Sequence, residues 1–139
     1  MARKAGMVHV VPDNIRLFGR LASEIMPGIE VIHFLDTSLP AMSEAALRPK
    51  VIERLGTYAR FAHESGAEAV LLTCTAFGRL ADEVSRAVDC RVLAVLDIML
   101  DEAMKQRGRI GIIGSHPGTV VGTARLLRER AREEGRAIV

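Results

Sequence analysis

The stretch "AVLLTCTAFG", residues 69–78, decides the fold. Four apolar residues, Ala69 to Leu72, run without alternation into Thr73-Cys74-Thr75-Ala76, and helical spacing follows. An unbroken apolar run of this length, bounded by turn residues, marks a strand covered on both faces. A helix directly after it makes a strand–loop–helix unit with a thiol in the loop. The same unit recurs along the chain. Apolar runs at 6–11, 29–35, 68–72, 91–96 and 109–113 are expected strands. Between them lie helices. Ile15, Phe18, Leu21, Ala22 and Ile25 share one face and end at Pro27-Gly28, while a polar loop over 36–48 leads to Pro49. After Pro49, Val51, Leu55, Ala59 and Ala62 form a second stripe closed by Gly66. Further helices are expected over 77–88, 98–107 and 120–134. Such alternation predicts an α/β fold, a parallel sheet covered by helices on both faces.

An internal echo suggests the domain organisation. "GMVHVVPDNIRLFGRLASEI" at 6–25 is similar to "RIGIIGSHPGTVVGTARLLRE" at 109–129. Both read as strand, proline-bearing polar loop and amphipathic helix. The expectation is one complete domain over 1–97, which carries the thiol. Residues 98–139 would be a linker helix and the start of a second, pseudo-symmetric α/β domain, cut short after a new strand begins in "AIV". Apolar surface left by so short a second domain calls for a covering partner. Residues beyond this chain, a second copy, or the last helix folded back on the first domain would cover it, so a homo-oligomer is expected, with no activity in the lone monomer.

Composition narrows the function classes. The 139 residues are enough for one full core, and 49% are hydrophobic. No segment is long and uncharged enough to span a bilayer. The apolar run after Arg3 and Lys4 meets Pro12 too soon for a signal-peptide core, so a soluble, cytoplasmic protein is expected, with no membrane partner. A net charge of +2 and only 4% aromatic residues argue against nucleic-acid binding. The two cysteines read as free thiols. Cys74 ends one strand and Cys90 precedes the next, so a strand of about five residues at ~3.3 Å each separates them, too far for a disulfide.

Parallel sheets place ligand sites at the carboxyl ends of their strands. The segments expected at that edge are Pro12-Asp13-Asn14, Asp36-Thr37-Ser38, Thr73-Cys74-Thr75-Ala76, Asp97 and Ser115-His116-Pro117-Gly118-Thr119. At a helix N-terminus Cys74 would gain thiolate character and stand beside N–H groups that bind anions. It would equally serve as a small buried residue. His116 reads as a proton-transfer or anion-binding group, or as a solvent-facing loop residue. His9, His33 and His63 read as packed residues, and Cys90 as structural. Asp36 and Asp97 read as helix caps before orienting groups. Arg125, Arg128, Arg130 and Arg132, interleaved with Glu129, Glu133 and Glu134, read as a solvated face. "GIIGSHPG" lacks the spacing of a dinucleotide loop.

"HVVPDNI", "FLDTSLP", "GAEAVLLTCTAFG", "VLAVLDIMLDEA" and "RIGIIGSHPGTV", in that order along essentially the whole chain, resemble the aspartate/glutamate/hydantoin racemase superfamily. The resemblance implies two similar α/β domains facing across a cleft, with no pyridoxal phosphate, no metal and no other cofactor. It makes Cys74 the catalytic thiol of the first domain. Thr75 and Ala76 would hold a substrate carboxylate, Asn14 would contact substrate, and Ser115, Gly118 and Thr119 would form the polar loop of the second domain. The implied substrate is a small carboxylate or a hydantoin, and the implied activity a cofactor-independent isomerase or racemase. A second catalytic cysteine usually lies late in the second domain, beyond where this chain ends. Some relatives use one thiol for decarboxylation or cis–trans isomerisation, and these stand as alternatives. A non-catalytic fragment or anion-binding module of the same fold is another.

Overall fold

The computed structural model describes residues 3–42, 44–106 and 108–136. Strand β1 (Arg3–His9) pairs in parallel with β2 (Ile29–Leu35) on one side and β3 (Ala67–Leu72) on the other, and β4 (Arg91–Ala94) adds beyond β3. The strand order is β2-β1-β3-β4. Three helices connect them: α1 (Asp13–Ile25), α2 (Arg48–Glu64) and α3 (Ala81–Ala87). The expected parallel α/β sheet, flanked by helices, is the fold observed.

Alternation along the strands sorts the two faces. Val8, Val70 and Leu72 point one way and pack with Val51, Leu55, Ala59 and Ala62 of α2 and Val84 of α3. Gly6 lies on this face, and a Cβ there would stand 2.7 Å from the Ala62 Cβ, so its hydrogen lets α2 lie directly on β1. Met7 and His9 point the other way, toward α1, where Phe18 meets the His9 ring. The stripe expected on α1 holds at Ala22, which is buried, but Ile25 is exposed at the helix end.

Contacts divide the chain into two units, Met1–Val95 and Leu96–Val139. The second holds α4 (Val95–Lys105, its first residue in the first unit) and α5 (Pro117–Glu133). Leu96, Leu100 and Met104 of α4 pack with Leu127 and Ala131 of α5. Arg130 is half-buried: its Nη2 donates to Asp97 Oδ1 at 2.7 Å, and its Nη1 to the Asp97 carbonyl at 3.2 Å and to Asp101.

Several expectations change here. The strand expected at 109–113 is not formed. A parallel strand exists only through its ladder, and the second unit has no strand among its described residues. Ile110 and Ile112 instead pack on the α4–α5 pair, and Ile113 is fully exposed. The strand expected in "AIV" lies outside the described residues. Asp97 is not at a strand end: β4 stops at Ala94 and Asp97 sits in the first turn of α4, bound to Arg130. Arg130 therefore leaves the solvated face expected for it. The helix expected over 77–88 divides into a 3-10 stretch, Thr75–Leu80, and α3.

Candidate active site

The strand order creates a switch point. From β1 the chain crosses to β2 through α1, and then from β2 past β1 to β3 through α2. Connections therefore diverge between β1 and β3, and a crevice opens outside their carboxyl ends. Backbone bonds hold this edge together. Thr73 N–H donates to the Val8 carbonyl at 3.1 Å, and Asp36 N–H to the His9 carbonyl at 2.9 Å. Asn14, in the first turn of α1, follows β1, and Cys74 follows β3. Thus Asn14, Cys74, Thr75 and Ala76 lie in the segments that follow the two strands of one switch point.

Cys74 has extended backbone angles and precedes the 3-10 stretch. Phe77 is buried behind it and donates its N–H to the Cys74 carbonyl at 3.3 Å. The sulfur packs partly buried against the core. Burial pushes the thiol above its ordinary pKa, while the Ala76 and Phe77 N–H groups pull in the opposite direction without overcoming it. Of the two readings of Cys74, this favours the buried thiol over the thiolate. The segment after Cys74 is one short 3-10 stretch in place of a long α-helix, and desolvation of the sulfur outweighs its few donors. Beyond it, Ala76, Phe77 and Arg79 face Met42, Arg48 and Val51 across a cleft of about 180 Å3. Arg48 is ion-paired to Glu83.

Ser115, Gly118 and Thr119 lie in the second unit, exposed around the start of α5. His116 is the N-cap. Its Nδ1 accepts from the Gly118 N–H at 3.2 Å, and its carbonyl accepts from the Thr119 and Val120 N–H groups at 3.0 and 3.3 Å. His116 is thereby assigned a structural role at a helix start. At the start of α1, the Asn14 and Ile15 N–H groups donate to the Val11 and Pro12 carbonyls, both at 3.1 Å.

Two polar networks were not legible in the sequence. Asp36, buried after β2, accepts from Ser38 N–H at 2.9 Å, Ser38 Oγ at 2.5 Å, Tyr58 Oη at 2.8 Å and Arg54 Nη1 at 3.4 Å. It orients neighbours and caps no helix, contrary to the reading above. Burial pushes its carboxyl up, but the Ser38 and Tyr58 bonds and the Arg54 charge together hold it below its ordinary pKa. Tyr58 is pushed up, by burial and then by Asp36. The second network runs across the α1 face. Thr73 Oγ1 donates to the Val8 carbonyl at 3.0 Å, His9 Nδ1 meets Thr73 Oγ1 at 3.0 Å, and His9 Nε2 meets His33 Nδ1 at 2.9 Å. Burial, with a smaller push from His33, lowers the His9 pKa to about 4, and burial lowers that of His33. The sequence signal was strand parity. His9 and His33 fall on one face if β1 and β2 are paired in the observed register, but nothing local sets that register.

Among the described residues, no three His, Cys, Asp or Glu side chains converge as a metal site, and no helix is long and apolar enough to cross a membrane. No known family model matches the chain, and no curated protein matches it.

Proposed function

We propose that this chain is a cofactor-independent isomerase that moves a proton at the carbon beside a carboxylate or hydantoin carbonyl through Cys74, in the manner of the racemase superfamily it resembles. One observation carries the reading: Cys74 lies at the carboxyl end of β3, at the switch point between β1 and β3, where a parallel sheet opens its ligand crevice. Thr75, Ala76 and Asn14 flank that crevice and supply hydroxyl, backbone and amide donors for a carboxylate. Ser115, Gly118 and Thr119 belong to the reading as the polar loop of the second unit.

The raised thiol pKa favours one half of the chemistry. A protonated Cys74 is a proton donor in the resting protein. It delivers H+ to an enolate-like carbon, whose electron pair forms the new C–H bond, and is left as thiolate. In racemisation a base on the opposite face makes that enolate by taking the α-proton. In the one-thiol alternative, the C–C bond to a carboxylate breaks, CO2 leaves with its carbon, and the electron pair left behind takes the thiol proton. The resting thiol fits both routes, and the second needs no opposing base. An oligomer is part of the same reading.

The test is solvent exchange. Incubated in D2O with aspartate, glutamate, substituted hydantoins and a substituted malonate, the protein is expected to place deuterium at the α-carbon of one of these classes. Cys74→Ala is expected to lose ~10²–10⁴-fold in that rate, the range for removing a positioned proton-transfer group, and Cys90→Ala to keep most of it. Anion binding without exchange in the unaltered protein favours the binding-module alternative. Equal exchange in the Cys74 variant overturns the assignment.

A further inference from the structure

His9 is fully buried, spans from β2 to β3 through β1, and does no work in the chemistry above. Its hydrogen bonds have directions that can be read from one end. The Val8 carbonyl only accepts, so the Thr73 hydroxyl gives its one proton there. The Thr73 oxygen then accepts from His9 Nδ1–H; with the hydroxyl proton given to His9 Nδ1 instead, His9 Nε2–H donates to His33 Nδ1, and either way a single N–H lies between the two rings. With Nδ1 protonated, neutral His9 presents a lone pair at Nε2 and accepts from His33 Nδ1–H. The remaining lone pair, His33 Nε2, lies under α1 at Gly19, where a Cβ would stand 3.5 Å away.

The chain ends at a carbonyl, so it cannot pass a proton onward. It can hold one. If His33 Nε2 takes a proton, every bond keeps its direction. If that proton shifts to His9 Nε2, the facing bond simply reverses. A second proton has no place: two N–H groups would face each other across 2.9 Å, on rings whose centroids are 5.1 Å apart. Among the described residues, no carboxylate is paired with either ring. From α1 the pair meets Phe18 and Gly19, from β3 it meets Thr73, and from β1 the Val8 carbonyl. Burial holds both imidazoles low, and His33 adds a smaller push on His9.

We propose that His9 and His33 form a single proton-holding unit under α1 that keeps Thr73, and with it the Cys74 turn, closed while the unit carries at most one proton, and releases the turn when a second arrives. Thr73 is the residue before Cys74 and is held at its amide and its hydroxyl by the same carbonyl. Losing the His9 bond leaves the strand end tied by β1 alone. The device acts on the Cys74 turn whether or not Cys74 is catalytic.

The experiment reads Cys74 access in the full chain with Cys90→Ser, using dithiodipyridine, which reports thiols in acid. Rates are normalised to a free-thiol peptide at each pH. Below about pH 6.5, the ordinary imidazole value, the opened state binds up to two more protons than the closed one. Access is then expected to rise by more than ~10-fold per pH unit over part of the range, approaching ~100-fold. With His33→Phe only one imidazole titrates, and the rise is expected not to exceed ~10-fold per unit. A rise of ~10-fold or less in the protein that keeps His33, or the same steepness in both, overturns the proposal. Imidazole ¹⁵N spectra of the unaltered protein decide independently if the variant fails to fold. Both rings neutral at pH 7, with a single N–H between them, are expected. A charged ring at that pH, or two independent titrations at the ordinary value, refutes it.

Discussion

Gly6 and Gly19 are both glycines inside regular structure, yet their surroundings give substitutions opposite signs. A Cβ on Gly6 would stand 2.7 Å from the Ala62 Cβ and 3.0 Å from Val70 Cγ2. Ala62 has no rotamer to change, and Val70 is fully buried. Helix α2 must therefore move off β1, and Gly6→Ala is expected to cost ~1–3 kcal/mol by overpacking. A Cβ on Gly19 makes only ordinary contact with His33, and Gly19 lies mid-helix in α1. Gly19→Ala is expected to stabilise by ~0.5–1 kcal/mol through helix propensity alone. Urea unfolding of the two variants checks both signs, and a shift in the same direction for both would contradict this account. Cys74 shows how far a residue can be read from sequence. Its place after a buried strand was legible from four apolar residues. Its raised pKa was not, because that depends on Phe77 turning back into the core and on a 3-10 stretch where helical spacing was read.

At the scale of elements, the end of β2 is fastened to α2 through a buried carboxylate. Tyr58 and Arg54 both reach Asp36 from that helix, and Ser38 closes a turn on it. Tyr58→Phe removes a hydrogen bond to a charged acceptor and is expected to cost ~1.5–3 kcal/mol. In an Asp36→Asn background the cost is expected to shrink, so the double-mutant cycle shows coupling. The pH sign follows from the lowered Asp36 pKa. Its stabilisation is complete above the ordinary carboxyl value and is lost as pH falls through the lower value of the folded state. The buried imidazoles also favour the folded state at neutral pH, but their share is lost earlier, as pH falls from about 6.5 toward the lowered values. Acid unfolding is thus expected to show an imidazole arm that Asp36→Asn leaves in place and a carboxylate arm that it removes. Strands β1 to β4 were legible as apolar runs, although the edge strand β2 has no fully buried residue. The run at 109–113 has the same composition and is no strand. Apolar character favours burial, and Ile110 and Ile112 are partly buried against helices while Ile113 is exposed, but a ladder partner is a property of the rest of the fold.

For the whole chain, the two units are built very differently. The first has a sheet whose central strands are packed by helices, with a continuous buried cluster from Val8 to Ala94. The second, over its described residues, has the 17-residue α5, all but the first residue of the 11-residue α4, and a core of five buried side chains, Leu96, Leu100, Met104, Leu127 and Ala131. Helices of this length are marginal by themselves, so their stability must come from packing. A helix pair with so few buried side chains sits at the low end of what a core supplies. Arg130 adds a clamp, with bonds to Asp97 and Asp101 that tie α5 to α4. As its ion pairs are part-exposed, the clamp is expected to be worth about 1 kcal/mol. Arg130→Ala should therefore raise amide exchange across α4 and α5 by ~5-fold at 25 °C, which is that energy expressed as an opening equilibrium. Amides of β1 and β3 should exchange more slowly than those helices in the unaltered protein and should not respond to the substitution. That separation rests on the Arg130 side-chain bonds to Asp97 and Asp101, which join α5 to α4. Exchange of the sheet amides accelerating in step with the helices would mean that the chain opens as one cooperative whole, and the two-unit account of its stability would fall.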